Sequence, residues 1–93
     1  MIISFGSKDT KRIWAGDRVK RYPIDFQEIA RRKLRMLNNS QTIMDLQVPP
    51  SNRLERLKGN LKDYYSIRIN DQWRIVFKWD KGSASEVEII DYH

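Results

Sequence analysis

The proline pair Pro49-Pro50 divides the chain into two patterns that no single kind of element can satisfy. Before it, apolar residues recur at helical intervals: Phe26, Ile29, Ala30, Leu34 and Leu37 share one face of a 3.6-residue period. After it they alternate with polar residues, most plainly in Trp73, Ile75, Phe77 and Trp79 against Arg74, Val76 and Lys78. A period of two suits a strand that buries one face, and the helical period cannot be laid flat in the same way. Helices first and a sheet afterwards make an α+β fold in which the helices cover the sheet's apolar face.

The local signals sharpen this outline. Ile2 to Phe5 is expected to form a short first strand, placed at an edge or beside the last strand. Ser7 offers an N-cap to a short helix that runs through Ile13-Trp14 and ends at Gly16. Pro23 suits the first turn of a second helix, which Asn38-Asn39 closes. Ser40 is expected to cap a further turn over 41–46. Strands are then expected at Arg53 to Leu57, Tyr64 to Ile69, Trp73 to Trp79, and from Gly82 to about Ile90. Turns at Lys58-Gly59-Asn60, Asn70-Asp71 and Asp80-Lys81-Gly82 connect them as an antiparallel meander. Ninety-three residues make one domain, 1–93.

The absence of cysteine excludes thiol catalysis and thiolate zinc sites, and a single histidine excludes a His-rich metal site. The N-terminal apolar run is too short for a signal or a spanning helix, so the expected location is cytoplasmic, with no membrane partner. Lys plus Arg outnumber Asp plus Glu by 18 to 12, giving +6 and a pI near 9.8. That balance favours a polyanion, or an acidic protein that masks the surface.

The excess is concentrated. Residues 49 to 78 hold Arg53, Arg56, Lys58, Lys62, Arg68, Arg74 and Lys78 against Glu55, Asp63 and Asp71. Strand parity places Arg68 and Arg74 opposite their apolar neighbours, and the turn between them brings the two guanidinium groups together. Planar guanidinium forks match phosphate oxygens. Tyr65, Trp73 and Trp79 fall on the apolar parity and are expected in the core, which leaves Tyr64 and Tyr92 as candidates to stack on bases. The basic helix residues Arg31, Arg32, Lys33 and Arg35 either solvate the helix or dock an acidic partner or rRNA.

The chain closes on Asp91-Tyr92-His93, with its one histidine last. A carboxylate, a phenol and an imidazole thus leave the final strand together. RNA is cut when its own 2′-hydroxyl attacks the adjacent phosphate. The reaction needs a base at that hydroxyl, positive charge on the non-bridging oxygens, and a proton for the leaving oxygen. His93 can give or take a proton near neutral pH, Asp91 can orient it, and Tyr92 can stack or relay a proton. Arg74 and Lys58 can stabilise charge on phosphorus. No cofactor is implied, because the nucleophile belongs to the RNA and the positive charge to the protein.

Three segments carry a resemblance. They are Pro50-Ser51-Asn52-Arg53-Leu54-Glu55-Arg56-Leu57-Lys58-Gly59-Asn60, Tyr65-Ser66-Ile67-Arg68-Ile69-Asn70-Asp71-Gln72-Trp73-Arg74-Ile75, and Val87-Glu88-Ile89-Ile90-Asp91-Tyr92-His93. With Met1-Ile2-Ile3-Ser4-Phe5 they make the chain resemble the HigB toxins of the RelE/ParE superfamily over nearly its whole length. The resemblance implies a RelE-like fold, two to three N-terminal helices on a largely antiparallel four- to five-stranded sheet. It also implies a ribosome-dependent mRNA endonuclease that enters the 30S A site, cuts mRNA there and halts translation. The implied partner is a HigA-type antitoxin with a helix-turn-helix domain, through which alone the toxin meets operator DNA. By position, Asp91, Tyr92 and His93 match the family's C-terminal active-site residues, and Arg74 and Lys58 match its basic ones.

One departure stands out. Where some HigB proteins carry a second active-site histidine, this chain has Glu55. Glu55 either serves as general base with His93 as acid, or is a plain surface carboxylate. The rival readings are a ParE-like inhibitor of DNA gyrase and a non-catalytic antitoxin-binding or co-repressor module.

Overall fold

The structure, a computed structural model, describes residues 1–91. Two helices, α1 (Lys8–Trp14) and α2 (Ile24–Asn39), precede a four-stranded antiparallel sheet. Its strands are β1 (Glu55–Arg56), β2 (Tyr64–Arg68), β3 (Trp73–Asp80) and β4 (Ser83–Asp91), in spatial order 1-2-3-4. Among the described residues no helix is long and apolar enough to cross a membrane.

The first helix begins where its sequence says it should. The Ser7 hydroxyl accepts the Thr10 backbone N–H at 3.2 Å, satisfying one of the donors that a helix start leaves over. Pro23 stands at the N-cap of α2 rather than inside its first turn. The expected apolar stripe is the buried one: Phe26, Ala30, Leu34 and Leu37 are buried and Ile29 is half-buried. They pack with Ile13 of α1 against Ile67, Ile75, Phe77, Val87 and Ile89 of the sheet. Trp73 meets Tyr22 and Phe26 at ring separations of 5.2 and 5.3 Å. The Thr10 hydroxyl, fully buried, accepts the Ile89 N–H and fastens α1 to β4.

Four expectations are corrected. The 41–46 turn is a 3-10 helix, Ile43–Gln47, and its capping box is Thr42 with Asp45 rather than Ser40. Ser40 instead donates to the Met36 carbonyl and ends α2. The Asp45 carboxyl lies below its ordinary range because it accepts the backbone N–H groups of Thr42 and Gln41. The first segment makes only two parallel bridges to β4, Ile2 with Ala84 and Phe5 with Val87, and is no full strand. The strand expected at Arg53 to Leu57 shrinks to Glu55–Arg56, because the Pro50–Asn52 turn runs on into Arg53, which takes a left-handed conformation at φ 45°. Alternating pattern alone did not reveal that turn, since a turn residue leaves no mark on periodicity.

The same turn depends on Asn52, whose side chain is fully buried. Its amide donates to the Leu46 carbonyl at 3.1 Å and its oxygen accepts from the Lys33 ammonium on α2. We expect Asn52→Ala to leave those groups without partners and to cost about 2–3 kcal/mol. A urea unfolding midpoint lowered at constant slope would show it.

Candidate nucleic-acid interface

The sheet has two unlike faces. Residues that pair across an antiparallel sheet point to the same side. Tyr65, Phe77 and Trp73 face the helices. Glu55, Ser66, Val76 and Glu88 therefore form a row on the opposite side, as do Arg68, Arg74 and Ile90. On this face, away from the helices, Ser66, Arg74 and Val76 are buried. The 50–52 turn packs against β2 and, with Arg53, roofs this end of the face.

Arg74 is the pivot of the arrangement. Its side chain is only 6% exposed. Its Nε–H donates to the Ser66 hydroxyl at 2.9 Å, and Nη2 donates to the Arg53 and Ser66 carbonyls. Burying a cation is costly unless its donors are satisfied, and these acceptors take the N–H groups of Nε and Nη2. Arg68 stands opposite Arg74 in register, as strand parity predicts, and forms an ion pair with Asp71.

Around this pair lies a cleft of about 240 Å³ lined by Arg53, Glu55, Arg68, Asn70, Asp71 and Arg74. Four of these six were singled out in the sequence. Asn70 and Asp71 were read only as a turn. Asn70 does form it, its side-chain oxygen accepting the N–H groups of Gln72 and Trp73, and both residues also form part of the cleft wall. Lys33, one of the basic α2 residues named above, donates to the Asn52 side-chain oxygen behind the 50–52 turn. Burial lowers its pKa first, with Arg32 and Arg68 adding to the effect.

The other expected contacts scatter. Tyr64 and Lys78 lie on the open face at the far end of β2 and β3, with the Lys78 ammonium 5.3 Å from the Tyr64 ring centre. An ion pair to Glu86 at 2.9 Å engages Lys78, raising the lysine's pKa and lowering the carboxyl's. Arg56 falls on the helix side of the sheet, its guanidinium over Tyr65, because it pairs with Tyr65 in register. Lys58 and Lys62 flank the exposed Gly59–Leu61 turn and do not line the cleft. Arg31 on α2 caps α1 through the Ile13 carbonyl, whereas Arg32 and Arg35 are exposed. Asp91 pairs with Trp73, on the helix side, and accepts from the Gln72 amide at 3.1 Å, so the structure does not bring it into the cleft. Tyr92 and His93 lie outside the described residues.

Residues 3–93 match the family described as the RelE-like toxin of the type II toxin–antitoxin system HigB. The chain belongs to the HigB family of RelE-like toxins. Toxin HigB-1 of Vibrio cholerae serotype O1 is 39% identical over 85 residues, 90% of either chain. A protein named Endoribonuclease HigB, from Proteus vulgaris, is 39% identical over 41 residues, 44% of this chain and 45% of that one. The fold is shared with YoeB in the YoeB–YefM complex of Staphylococcus aureus, at a TM-score of 0.63 and 19% identity over 100% of this chain and 98% of that one. It is shared too with YafQ of Escherichia coli, at 0.61 and 12% over 98% and 91%. The RelE-like α+β architecture expected from the sequence is the one observed.

The seating of Arg74 in this HigB-family toxin predicts a dependence on Ser66. Replacing Ser66 by Ala removes the acceptor of a buried charged donor, and we expect a loss of about 1–3 kcal/mol in urea unfolding.

Proposed function

We propose that this toxin is a ribosome-dependent mRNA endonuclease that acts through the RNA's own 2′-hydroxyl. The observation that carries the reading is the cleft on the open sheet face, where three guanidinium groups and the Glu55 carboxylate converge. Phosphate needs the first and proton abstraction needs the second. The name of the Proteus vulgaris relative supports an endoribonuclease.

In this reading Arg53 and Arg68, at the cleft surface, take the non-bridging oxygens of the scissile phosphate. Arg74, held by Ser66 and the Arg53 carbonyl, supplies a fixed positive charge that needs no reorganisation as charge builds on phosphorus. Glu55 removes the 2′-hydroxyl proton, the oxygen attacks phosphorus, and the 5′-oxygen leaves with a proton from His93. The products are a 2′,3′-cyclic phosphate and a 5′-hydroxyl. Asp91 orients His93 and Tyr92 stacks on a nucleotide near the cut. Lys58, exposed after β1, steadies the RNA along that edge together with Arg56 and Lys62.

The cytoplasmic ribosome supplies mRNA in the A site, and the basic charge of +6 suits a protein that approaches RNA. A HigA-type helix-turn-helix antitoxin is the proposed partner. The solved YoeB–YefM toxin–antitoxin complexes support a partner of that class.

Primer extension on an mRNA in a translating extract tests the reading. We expect discrete cuts within codons for wild type, only with ribosomes loaded, and a loss of at least a hundredfold in cutting for His93→Gln and for Arg74→Ala. Both variants should cease to arrest growth. Wild-type toxin that leaves every message intact would falsify the endonuclease assignment.

A further inference from the structure

A second cavity, of about 210 Å³, opens on the same face as the basic cleft. Val76 and Ile90 line it together with Tyr64, Leu61, Glu86 and Glu88. The two sites abut. Ile90, in the cavity, is the cross-strand partner of Arg74, in the cleft. Val76 follows Arg74 by two residues along β3, about 7 Å at the rise of a strand. A nucleotide whose phosphate sits at the arginines would thus carry its own base, or its neighbour's, to this cavity.

The two carboxylates differ in what they can do there. Glu86 is engaged by the Lys78 ammonium. Glu88 is half-buried and forms no ion pair or hydrogen bond among the described residues. It packs closely against Gly6. A β-carbon built at residue 6 would lie 2.9 Å from the Glu88 Oε1 and 3.1 Å from the Glu86 carbonyl, so the carboxylate lies where only glycine leaves room.

We infer that this cavity is a base-selective subsite for guanine, with Glu88 as its specificity-determining residue. The inference rests on the RNA-cleaving reading above. An ionised carboxylate only accepts hydrogen bonds. Guanine presents two adjacent donors, N1–H and the N2 amino group, which a carboxylate takes as a pair. Adenine and cytosine each set a ring acceptor beside their amino group, and uracil flanks its one N–H with carbonyls, so each meets repulsion at one oxygen. Val76 and Ile90 supply the apolar floor, and Tyr64 a ring surface against which a base can pack.

The test uses thymidine trinucleotides carrying one guanine or one adenine at each position in turn. Lacking a 2′-hydroxyl, they bind without being cut. Affinity is read by NMR titration of the whole toxin. At one position we expect guanine to bind roughly tenfold more tightly than adenine, with the amide signals of Gly6, Tyr64 and Glu88 shifting. Glu88→Gln, isosteric but with one donor and one acceptor, should lose that preference or turn it toward adenine. Equal binding of guanine and adenine by wild type, or an unchanged guanine preference in Glu88→Gln, overturns the subsite. Mapping cuts in the translating extract separates the two ideas. Guanine-selective binding without any cutting sinks the endonuclease reading and keeps the subsite. Cutting whose base distribution is the same in wild type and Glu88→Gln does the reverse.

Discussion

The buried guanidinium of Arg74 is the interaction on which the functional face depends. A cation taken out of water must find its donors partnered, and among the described residues its partners include the Ser66 side chain, the Ser66 main chain and the Arg53 carbonyl. Those bonds tie β3 to β2 and both to the left-handed residue that ends the 50–52 turn. Without the turn, Arg74 would lie open to water like any strand arginine. Without Arg74, the Arg53 carbonyl would lose a charged donor at the edge of the sheet. The cleft is thus a by-product of how one charge was made tolerable in a small domain.

That arrangement separates two kinds of arginine. Arg53 is exposed at the cleft wall, and Arg68 stands there in an ion pair with Asp71. Arg74 sits beneath, fixed by its bonds, and changes little as a ligand arrives. Preorganised charge of this sort is worth more to a developing anion than mobile charge, since nothing has to be reoriented during the reaction. The neighbouring cavity works by the opposite principle. In the inferred subsite the Glu88 carboxylate would repel phosphate and accept donor edges, which would sort backbone and base onto adjacent patches of one face.

Much of the fold was legible in residue order. The stripe from Phe26 to Leu37 marked α2, and the alternation from Trp73 to Trp79 marked β3, because each pattern has one geometry that buries it. The pairing of Arg68 with Arg74 followed from parity and a tight turn. The first segment and the strand before Lys58 were less legible. Both have strand-like composition, yet one makes only two bridges and the other is shortened by a left-handed turn residue. Composition reports what a segment can bury, and it says nothing about where backbone partners are available.

The same division holds for the site. Sequence by itself supplied the expectation of a phosphodiester target, from an excess of arginine and lysine after Pro50 and the run Asp91-Tyr92-His93. Residue types carry charge and proton affinity wherever they are placed. Only the tertiary structure decided which residues lie together. It gathered Arg53, Glu55, Arg68 and Arg74 with the unsuspected Asn70 and Asp71, turned Arg56 and Asp91 to the other side of the sheet, and set Glu88 beside Gly6. The physical reason is register. A shift of one residue in strand pairing exchanges the faces of a sheet, and that choice is made by the partner strand and the turn, which lie elsewhere in the chain.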